Sequence, residues 1–248
     1  MAARPGLAIV ASRSDERAAT MTDGQFTNIQ MIGPKAGGAP QQVILLLHGY
    51  GSNGADLLGL APYWADALPN AAFIGPDAPF VCEMSAMGYQ WFSLREIMAG
   101  APLADGLRRA GADEVAPVLN ALIDDILERF NLPATKLALV GFSQGTMMAL
   151  HVALRRLEPL AGVLGFSGML IDPPSLAAEM TAKPPVLLVH GDADPVVPYA
   201  SLTRAESALR DVGVAVDTLT CPRLGHSIDD TGLEAGTRFL QHCLSSAG

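Results

Sequence analysis

Short apolar runs alternate with longer amphipathic segments from residue 43 to the end of the chain. The runs are continuous, as in strands that are covered on both faces of a parallel sheet. The longer segments carry apolar residues three and four positions apart, for example Val115, Val118 and Leu122. This rhythm predicts an α/β fold with a mostly parallel central sheet and helices on both faces. The predicted strands cover residues 43–47, 71–75, 136–142, 160–166, 185–190 and 214–221, and the predicted helices cover 56–68, 112–130, 144–157, 199–212 and 231–244.

No Gly, Ser or Pro linker divides the chain into two folding units. Residues 1–20 are rich in Ala, Arg and Ser without a hydrophobic pattern, so we expect a flexible N-terminal tail before a single domain over 21–248. From about 80 to 111, Pro, Gly, Met and aromatic residues occur without clean periodicity. Because loops of this length usually have a function, the segment is predicted to be a loop or cap over a site.

Composition argues against several classes of protein. Half of the residues are apolar, which excludes a disordered chain. Acidic residues outnumber basic ones by 25 to 16, and the basic ones are scattered, so neither nucleic acid nor anionic lipid is an expected partner. No apolar run approaches the length of a membrane span. The three cysteines lack the spacing of a disulfide scaffold or a zinc site, which favours a reduced, cytoplasmic setting.

The strongest local signal is the pentapeptide Gly141–Gly145, which reads Gly-Phe-Ser-Gln-Gly. It lies between the predicted strand 136–142 and the predicted helix 144–157. A serine on such a turn is held in a strained conformation that exposes Oγ at the carboxyl edge of the sheet. We therefore predict that Ser143 is a nucleophile. Ser167 also follows a predicted strand, but no helical pattern comes after it, so we expect it to line the site.

A serine nucleophile needs a general base, because its hydroxyl is a weak nucleophile at neutral pH. Of the five histidines, His48 and His190 directly follow predicted strands, and we expect them to order loops. His151 is fixed two turns along the helix that follows the nucleophile, and His242 lies near the C-terminus. His226, on a loop after the last predicted strand, is therefore predicted to be the base.

A carboxylate must hold the imidazole in the right tautomer and stabilise its cation. For a serine on this kind of turn, the acid follows the serine and precedes the histidine in the chain. Two aspartates come after the strand at 185–190. Asp192 lies in the tight part of a turn, where Asp commonly bonds its own backbone, whereas Asp194 precedes Pro195 and is pushed into an extended conformation. We favour Asp194 and keep Asp192 as the alternative.

Acyl transfer also needs donors for the oxyanion. The expected donors are the backbone N–H of the residue after the nucleophile, Gln144, and one from the loop after an early strand. The Gly-rich loop at 48–51 fits that description, with the N–H of Tyr50 as the second donor. The loop lacks the glycine and lysine spacing of phosphate-binding loops, so nucleotide binding is not expected.

Several collinear segments between about 43 and 245 resemble the carboxylesterase, lysophospholipase and acyl-protein thioesterase family of α/β-hydrolases. The resemblance implies the α/β-hydrolase fold, a triad of Ser143, Asp194 and His226, and no cofactor. It also implies that Trp91, with Phe92, forms a wall of the substrate pocket. The segments that carry it are 47–51, 76–79, 91–92, 141–145, 166–168, 190–198 and 225–227.

The leading interpretation is a serine carboxylesterase that acts on short- to medium-chain neutral esters. An acyl-protein thioesterase or lysophospholipase for long acyl chains is the alternative within the class, and a catalytically dead binding module is the alternative outside it. No metal-ligand cluster such as His-Glu-x-x-His is present, so no metal is expected. Apolar side chains between 80 and 103 are consistent with a cap, a homodimer face or a membrane-facing lip, and the sequence does not choose among them.

Overall fold

A computed structural model of the protein describes residues 8–10, 18–23, 26–100 and 104–245. Its strands are β1 (Ala8–Val10), β2 (Ala18–Asp23), β3 (Phe26–Ile32), β4 (Gln42–Leu47), β5 (Ala71–Pro76), β6 (Phe80–Val81), β7 (Tyr89–Gln90), β8 (Leu137–Phe142), β9 (Gly162–Phe166), β10 (Val186–Gly191) and β11 (Val216–Cys221). Its helices are α1 (Gly54–Leu58), α2 (Ala61–Ala65), α3 (Arg95–Met98), α4 (Ala104–Phe130), α5 (Gln144–Ala153), α6 (Leu176–Glu179), α7 (Ala200–Asp211) and α8 (Asp230–Ser245). Short 3₁₀ turns lie at Ala134–Lys136 and Pro173–Ser175.

Nine of the strands within these ranges form one sheet, in the order β1-β2-β3-β5-β4-β8-β9-β10-β11. Every neighbouring pair from β5 to β11 is parallel. The pairs that involve β1, β2 and β3 are antiparallel. β6 and β7 form a separate antiparallel hairpin. The prediction of a mostly parallel central sheet is confirmed.

The sheet is covered on both faces, and β4 shows how a continuous apolar run achieves this. Successive side chains of a strand point to opposite faces. Leu45 and Leu47 pack into a core with α4, α5 and α7, whereas Ile44 and Leu46 pack into a second core with α1, α2 and α8. The prediction of helices on both faces is therefore confirmed as well.

The predicted strands agree with the observed ones to within about two residues, whereas the helix predicted over 56–68 is two short helices, α1 and α2. Pro62 explains the break, because it has no N–H to donate and its ring clashes with the carbonyl of residue 58. None of the predicted strands covers β3, whose apolar residues are mixed with polar ones.

The segment from 80 to 111 is more regular than predicted. Over 80–100 it contains β6, β7 and α3, and α4 begins at Ala104 instead of residue 112. Gly111 interrupts the hydrophobic pattern because α4 passes close to Phe92, where a Cβ on the glycine would lie 2.5 Å from the Phe92 Cβ. Residues 101–103 lie outside the described residues, and the role of the segment as a cap stays a prediction.

The tail predicted over residues 1–20 lies partly outside the described residues. The described ones, 8–10 and 18–20, belong to β1 and β2, and β2 continues past Met21 to Asp23. The placement of a domain boundary at residue 21 stays a prediction. Among the described residues, no helix has both the length and the hydropathy that crossing a membrane requires.

Candidate active site

The candidate residues come together because they follow parallel strands. The loop 48–51 follows β4, Ser143 follows β8, Asp194 lies on the loop after β10, and His226 lies on the loop after β11. Parallel strands place their carboxyl ends at one edge of the sheet, where ligands bind in open α/β folds. The fold therefore collects residues that are up to 178 positions apart in the sequence onto one edge.

Ser143 lies on a sharp turn between β8 and α5, with φ 53° and ψ −115°. Such a backbone conformation is strained for a residue with a side chain, and strain of this kind concentrates at functional sites. The turn needs its glycines, because a Cβ at Gly145 would lie 1.8 Å from the carbonyl oxygen of Leu47, and a Cβ at Gly141 would lie 2.4 Å from the Thr146 nitrogen. The Ser143 side chain is thus held by its backbone at the carboxyl end of β8.

Asp194 is fully buried at its side chain and pairs with His226. Its Oδ2 lies 2.8 Å from His226 Nδ1, while its Oδ1 accepts the N–H groups of Val196 and Val197 at 2.8 and 2.9 Å. Burial raises the pKa of Asp194, but the hydrogen bonds from His226 and the two amides outweigh it and lower the pKa overall. The carboxylate is therefore ionised at neutral pH and suited to orient an imidazole.

Asp192, the alternative acid, has a different hydrogen-bond partner from Asp194. The Oδ1 of Asp192 accepts the backbone N–H of Arg223 at 2.5 Å, which closes a turn between the loops after β10 and β11. Asp192 is exposed, and the carboxylate that His226 Nδ1 contacts is that of Asp194.

The ring of His226 also packs against Phe142, the residue before the nucleophile, with centroids 4.8 Å apart. The imidazole is thus held between the acid and the turn that carries Ser143. With Nδ1 bonded to Asp194, Nε2 is the nitrogen left to exchange a proton with a substrate or a serine.

The loop 48–51 lies directly against the turn of Ser143. A Cβ at Gly49 would be 3.4 Å from the Ser143 Cβ and 3.0 Å from Phe142 Cδ1. Gln144 is the first residue of α5, so its N–H is one of those that have no acceptor within the helix. This arrangement suits the N–H groups of Tyr50 and Gln144 as oxyanion donors, although that assignment stays a prediction.

His48 and His190 are buried and serve as loop anchors, as expected. His48 Nδ1 lies 2.7 Å from the Gly49 oxygen, and Nε2 accepts the N–H of Ala78 at 2.9 Å. Burial lowers the pKa of His48, which favours this neutral tautomer. His190 Nε2 lies 3.0 Å from the Val197 oxygen, at the turn that also binds Asp194.

Trp91 and Phe92 lie in the core beside the loops of the site, and they are 0% and 2% exposed. Their role as a wall of the substrate pocket stays a prediction. The indole N–H of Trp91 donates to the His48 oxygen at 2.9 Å. Gln144 completes the junction, because its Oε1 accepts the Trp91 N–H at 2.9 Å and its Nε2 donates to the Phe92 oxygen at 2.7 Å. These residues position the loops of the site.

Ser167, the rival serine, lies beside the loop of His226. It is 1% exposed, and its Oγ donates to the Ser227 oxygen at 3.5 Å. Its backbone also has a positive φ, 46°, but it precedes no helix. Its expected role as a lining residue of the site stays a prediction.

Two carboxylates without a predicted role also support the loops. Asp77 accepts the N–H of Gly54 at 2.8 Å, and Glu83 accepts the hydroxyl of Tyr50 at 3.1 Å. Asp77 lies within the family-like segment 76–79, which was a usable signal, whereas nothing in the pattern around Glu83 marks it. Within the described ranges, no group of three or more His, Cys, Asp or Glu side chains is arranged to hold a metal ion.

His151 lies away from the site, packed between α5 and α4. Its Nε2 lies 2.9 Å from Asp113 Oδ1, and the side chain is 1% exposed. Burial, together with the nearby charge of Arg155, lowers the pKa of His151 from 6.5 to about 4. Below pH 6.5 the unfolded chain therefore binds a proton at this histidine that the folded chain does not bind. The free energy of unfolding consequently decreases as the pH is lowered.

We expect this difference to remove about 3 kcal/mol of stability between pH 6.5 and pH 4. Urea unfolding at pH 7 and pH 4.5 measures it. His151→Gln cannot titrate and should show a smaller loss on acidification than the wild type. His242→Gln, at an exposed position on α8, is the control for removing one histidine. An equal loss in the wild type and His151→Gln would contradict the assignment.

The chain is similar in sequence and in structure to known esterases and thioesterases. The sequence profile described as phospholipase/carboxylesterase matches residues 29–244. Acyl-protein thioesterase 1 from Neurospora crassa is 30% identical over 208 residues, which cover 79% of this chain and 84% of the relative. Esterase YpfH from Escherichia coli is 28% identical over 204 residues, 82% of this chain and 84% of the relative. The crystal structure of esterase PE8 has a TM-score of 0.80 at 40% identity, and the match covers 86% of this chain and 97% of that one.

Proposed function

Because the chain belongs to the phospholipase/carboxylesterase family and has the α/β-hydrolase fold, we propose that it is a serine carboxylesterase with Ser143, Asp194 and His226 as its catalytic triad. The observation that carries the proposal is the contact of His226 Nδ1 with the buried Asp194 carboxylate, beside the strained turn of Ser143. A binding module without catalysis would have no need of an ionised, hydrogen-bonded carboxylate behind this imidazole.

The first half of the proposed reaction forms an acyl-enzyme. Ser143 Oγ attacks the carbonyl carbon of the ester, and its proton passes to His226 Nε2. The N–H groups of Tyr50 and Gln144 stabilise the oxyanion of the tetrahedral intermediate. The bond to the alcohol oxygen then breaks, and the leaving alcohol takes the proton from His226.

The second half returns the enzyme to its starting state. A water molecule gives a proton to His226 Nε2 and attacks the carbonyl carbon of acyl-Ser143. The second tetrahedral intermediate collapses, the bond to Ser143 Oγ breaks, and the serine recovers its proton from His226. Asp194 stabilises the imidazolium in both halves. No cofactor is needed for either half.

The proposed substrates are small neutral esters with short to medium acyl chains. No Lys or Arg occurs from Ala36 to Leu94, a stretch that includes the loop of Tyr50, so this stretch itself supplies no cation for a phosphate headgroup. Met84 and Met87 are exposed on the segment between β6 and β7, and flexible methionine side chains suit varied acyl groups. Three buried free cysteines are consistent with the proposed cytoplasmic location.

A thioesterase for long acyl chains is the second candidate function. The observation that favours it is the likeness to acyl-protein thioesterase 1 of Neurospora crassa, since the same triad chemistry opens a thioester. The two candidates share all their catalytic residues and differ only in the acyl chain and the leaving group.

A panel of p-nitrophenyl esters of graded acyl length separates the candidates. We expect kcat/KM to be highest between about four and eight carbons and to fall for longer chains, with little hydrolysis of lysophospholipid. Palmitoyl thioester and lysophosphatidylcholine are assayed beside the panel. Light scattering reports whether the active species is a monomer or a homodimer. If the palmitoyl thioester is cleaved as fast as the best short ester, the thioesterase candidate replaces the carboxylesterase.

A further inference from the structure

Glu83 is the centre of a group of hydrogen bonds next to the loop that carries Tyr50. Its Oε1 accepts the Tyr50 hydroxyl at 3.1 Å, the Ser93 hydroxyl at 2.9 Å and the Leu94 N–H at 3.1 Å. Arg95 Nε lies 3.8 Å from Oε2, and the Glu83 side chain is only 13% exposed. A carboxylate with this many donors is fixed in position.

The ionisation states of the two partners favour the hydrogen bond between them. Burial raises the pKa of Glu83, but the hydrogen bonds from Ser93 and Tyr50 outweigh it and lower the pKa overall. Burial, with the nearby Cys82 and Glu83, raises the pKa of the Tyr50 hydroxyl. A neutral hydroxyl thus donates to an ionised carboxylate, and the charge strengthens a hydrogen bond of a given length.

The backbone around Tyr50 is tied to the same segment. The N–H of Gly51 donates to the Tyr89 oxygen at 2.9 Å, and the N–H of Tyr89 donates to the Ser52 oxygen at 2.7 Å. The N–H of Glu83 donates in turn to the side chain of Gln90 at 3.0 Å. The segment from 83 to 94 therefore holds the Tyr50 loop from one side.

The same segment also meets the second proposed oxyanion donor. Gln144 binds the backbone of residues 91 and 92 through both ends of its side-chain amide. One segment thus fixes the position of the Tyr50 loop relative to the start of α5. The two proposed donors must keep this relative position to within a fraction of an ångström, because oxyanion stabilisation depends on donor distance.

We propose that Glu83 is a positioning residue for acyl transfer, which holds the Tyr50 N–H toward the oxyanion through the Tyr50 hydroxyl. No motif of the sequence marks Glu83, and its proposed effect on the Tyr50 N–H passes through the Tyr50 side chain. The inference rests on the proposed function of Ser143. Removing an oxyanion donor costs about 100- to 1,000-fold in kcat, and displacing one should cost less, about tenfold.

The test is a double-variant cycle on the best ester of the panel. Glu83→Gln removes the charge, Tyr50→Phe removes only the hydroxyl, and the double variant removes both. Glu96→Gln, an exposed carboxylate on α3, is the matched control. We expect each single variant to lower kcat about tenfold with KM nearly unchanged, and the double variant to lose no more than either single variant. The inhibition constant of a boronic acid that forms a tetrahedral adduct should rise by the same factor.

The measurements distinguish a loss of folding from a loss of the positioning role of Glu83. Circular dichroism and the melting temperature establish the folded fraction, and Tyr50→Phe keeps the test in force if Glu83→Gln does not fold. A change in KM alone, independent losses in the double variant, or an unchanged kcat would overturn the role of Glu83. In those cases a wild type that hydrolyses esters and a Ser143→Ala variant that does not would leave the proposed function intact. A wild type without ester hydrolysis removes the proposed function and the inference together.

Discussion

Replacing Ser143 with alanine is expected to lower kcat for the best ester by about a million-fold, as in other serine enzymes that lose their nucleophile. The loss is large because no acyl-enzyme can form, while the oxyanion donors leave a small residual rate. Alanine adopts the backbone conformation of residue 143 as readily as serine does, so the variant should fold. Steady-state kinetics measures the effect, and labelling with a fluorophosphonate should mark the wild type and leave the variant unmarked.

Ser167→Ala is the matched control, since Ser167 is also buried and also has a positive φ. It should retain most of the activity and react with the fluorophosphonate. If Ser167→Ala were inactive and Ser143→Ala active, the nucleophile would be Ser167 instead of Ser143. The proposed oxyanion loop would then have to be reassigned as well.

Asp194→Asn is expected to lower kcat by about four orders of magnitude, by analogy with the serine-protease triad. The amide keeps the size of the side chain, but its NH₂ group favours the imidazole tautomer with the proton on the wrong nitrogen. The variant also loses the negative charge that stabilises the imidazolium. The measurement is kcat at one fixed pH, with the folded fraction matched to the wild type.

Asp192→Asn is the control for that variant. It should weaken the hydrogen bond to the Arg223 N–H, loosen a turn and lower the melting temperature slightly. A larger loss of kcat in Asp192→Asn than in Asp194→Asn would show that the wrong aspartate has been assigned.

The sheet could be predicted from the sequence because its central strands are continuous apolar runs. Both faces of β4 pack against apolar cores, so every residue of Val43–Leu47 is apolar. β3 gave no such signal, because polar residues separate Phe26 from Ile29. The start of α4 was also hidden, since Gly111 is required by a contact with Phe92 that only the folded chain makes.

The candidate triad was found from the sequence because its chemistry restricts residue types and their order. The supporting contacts were not, because they join residues that are distant in the chain. Tyr50 and Glu83 are 33 positions apart, and Trp91 and Gln144 are 53 apart. The burial of Trp91 could not be predicted for a related reason, because a family resemblance gives the residue type but not the exposure of the ring in this chain.

The junction of Trp91, His48 and Gln144 also restricts how substrate range can change in this protein. Its members lie in the core and bind the backbone of both loops that flank Ser143. Substitutions at these residues that alter substrate selectivity are therefore expected to lower kcat as well. Met84 and Met87 are exposed and lie outside this junction, so directed evolution toward new acyl or alcohol groups has its freest positions on the segment between β6 and β7.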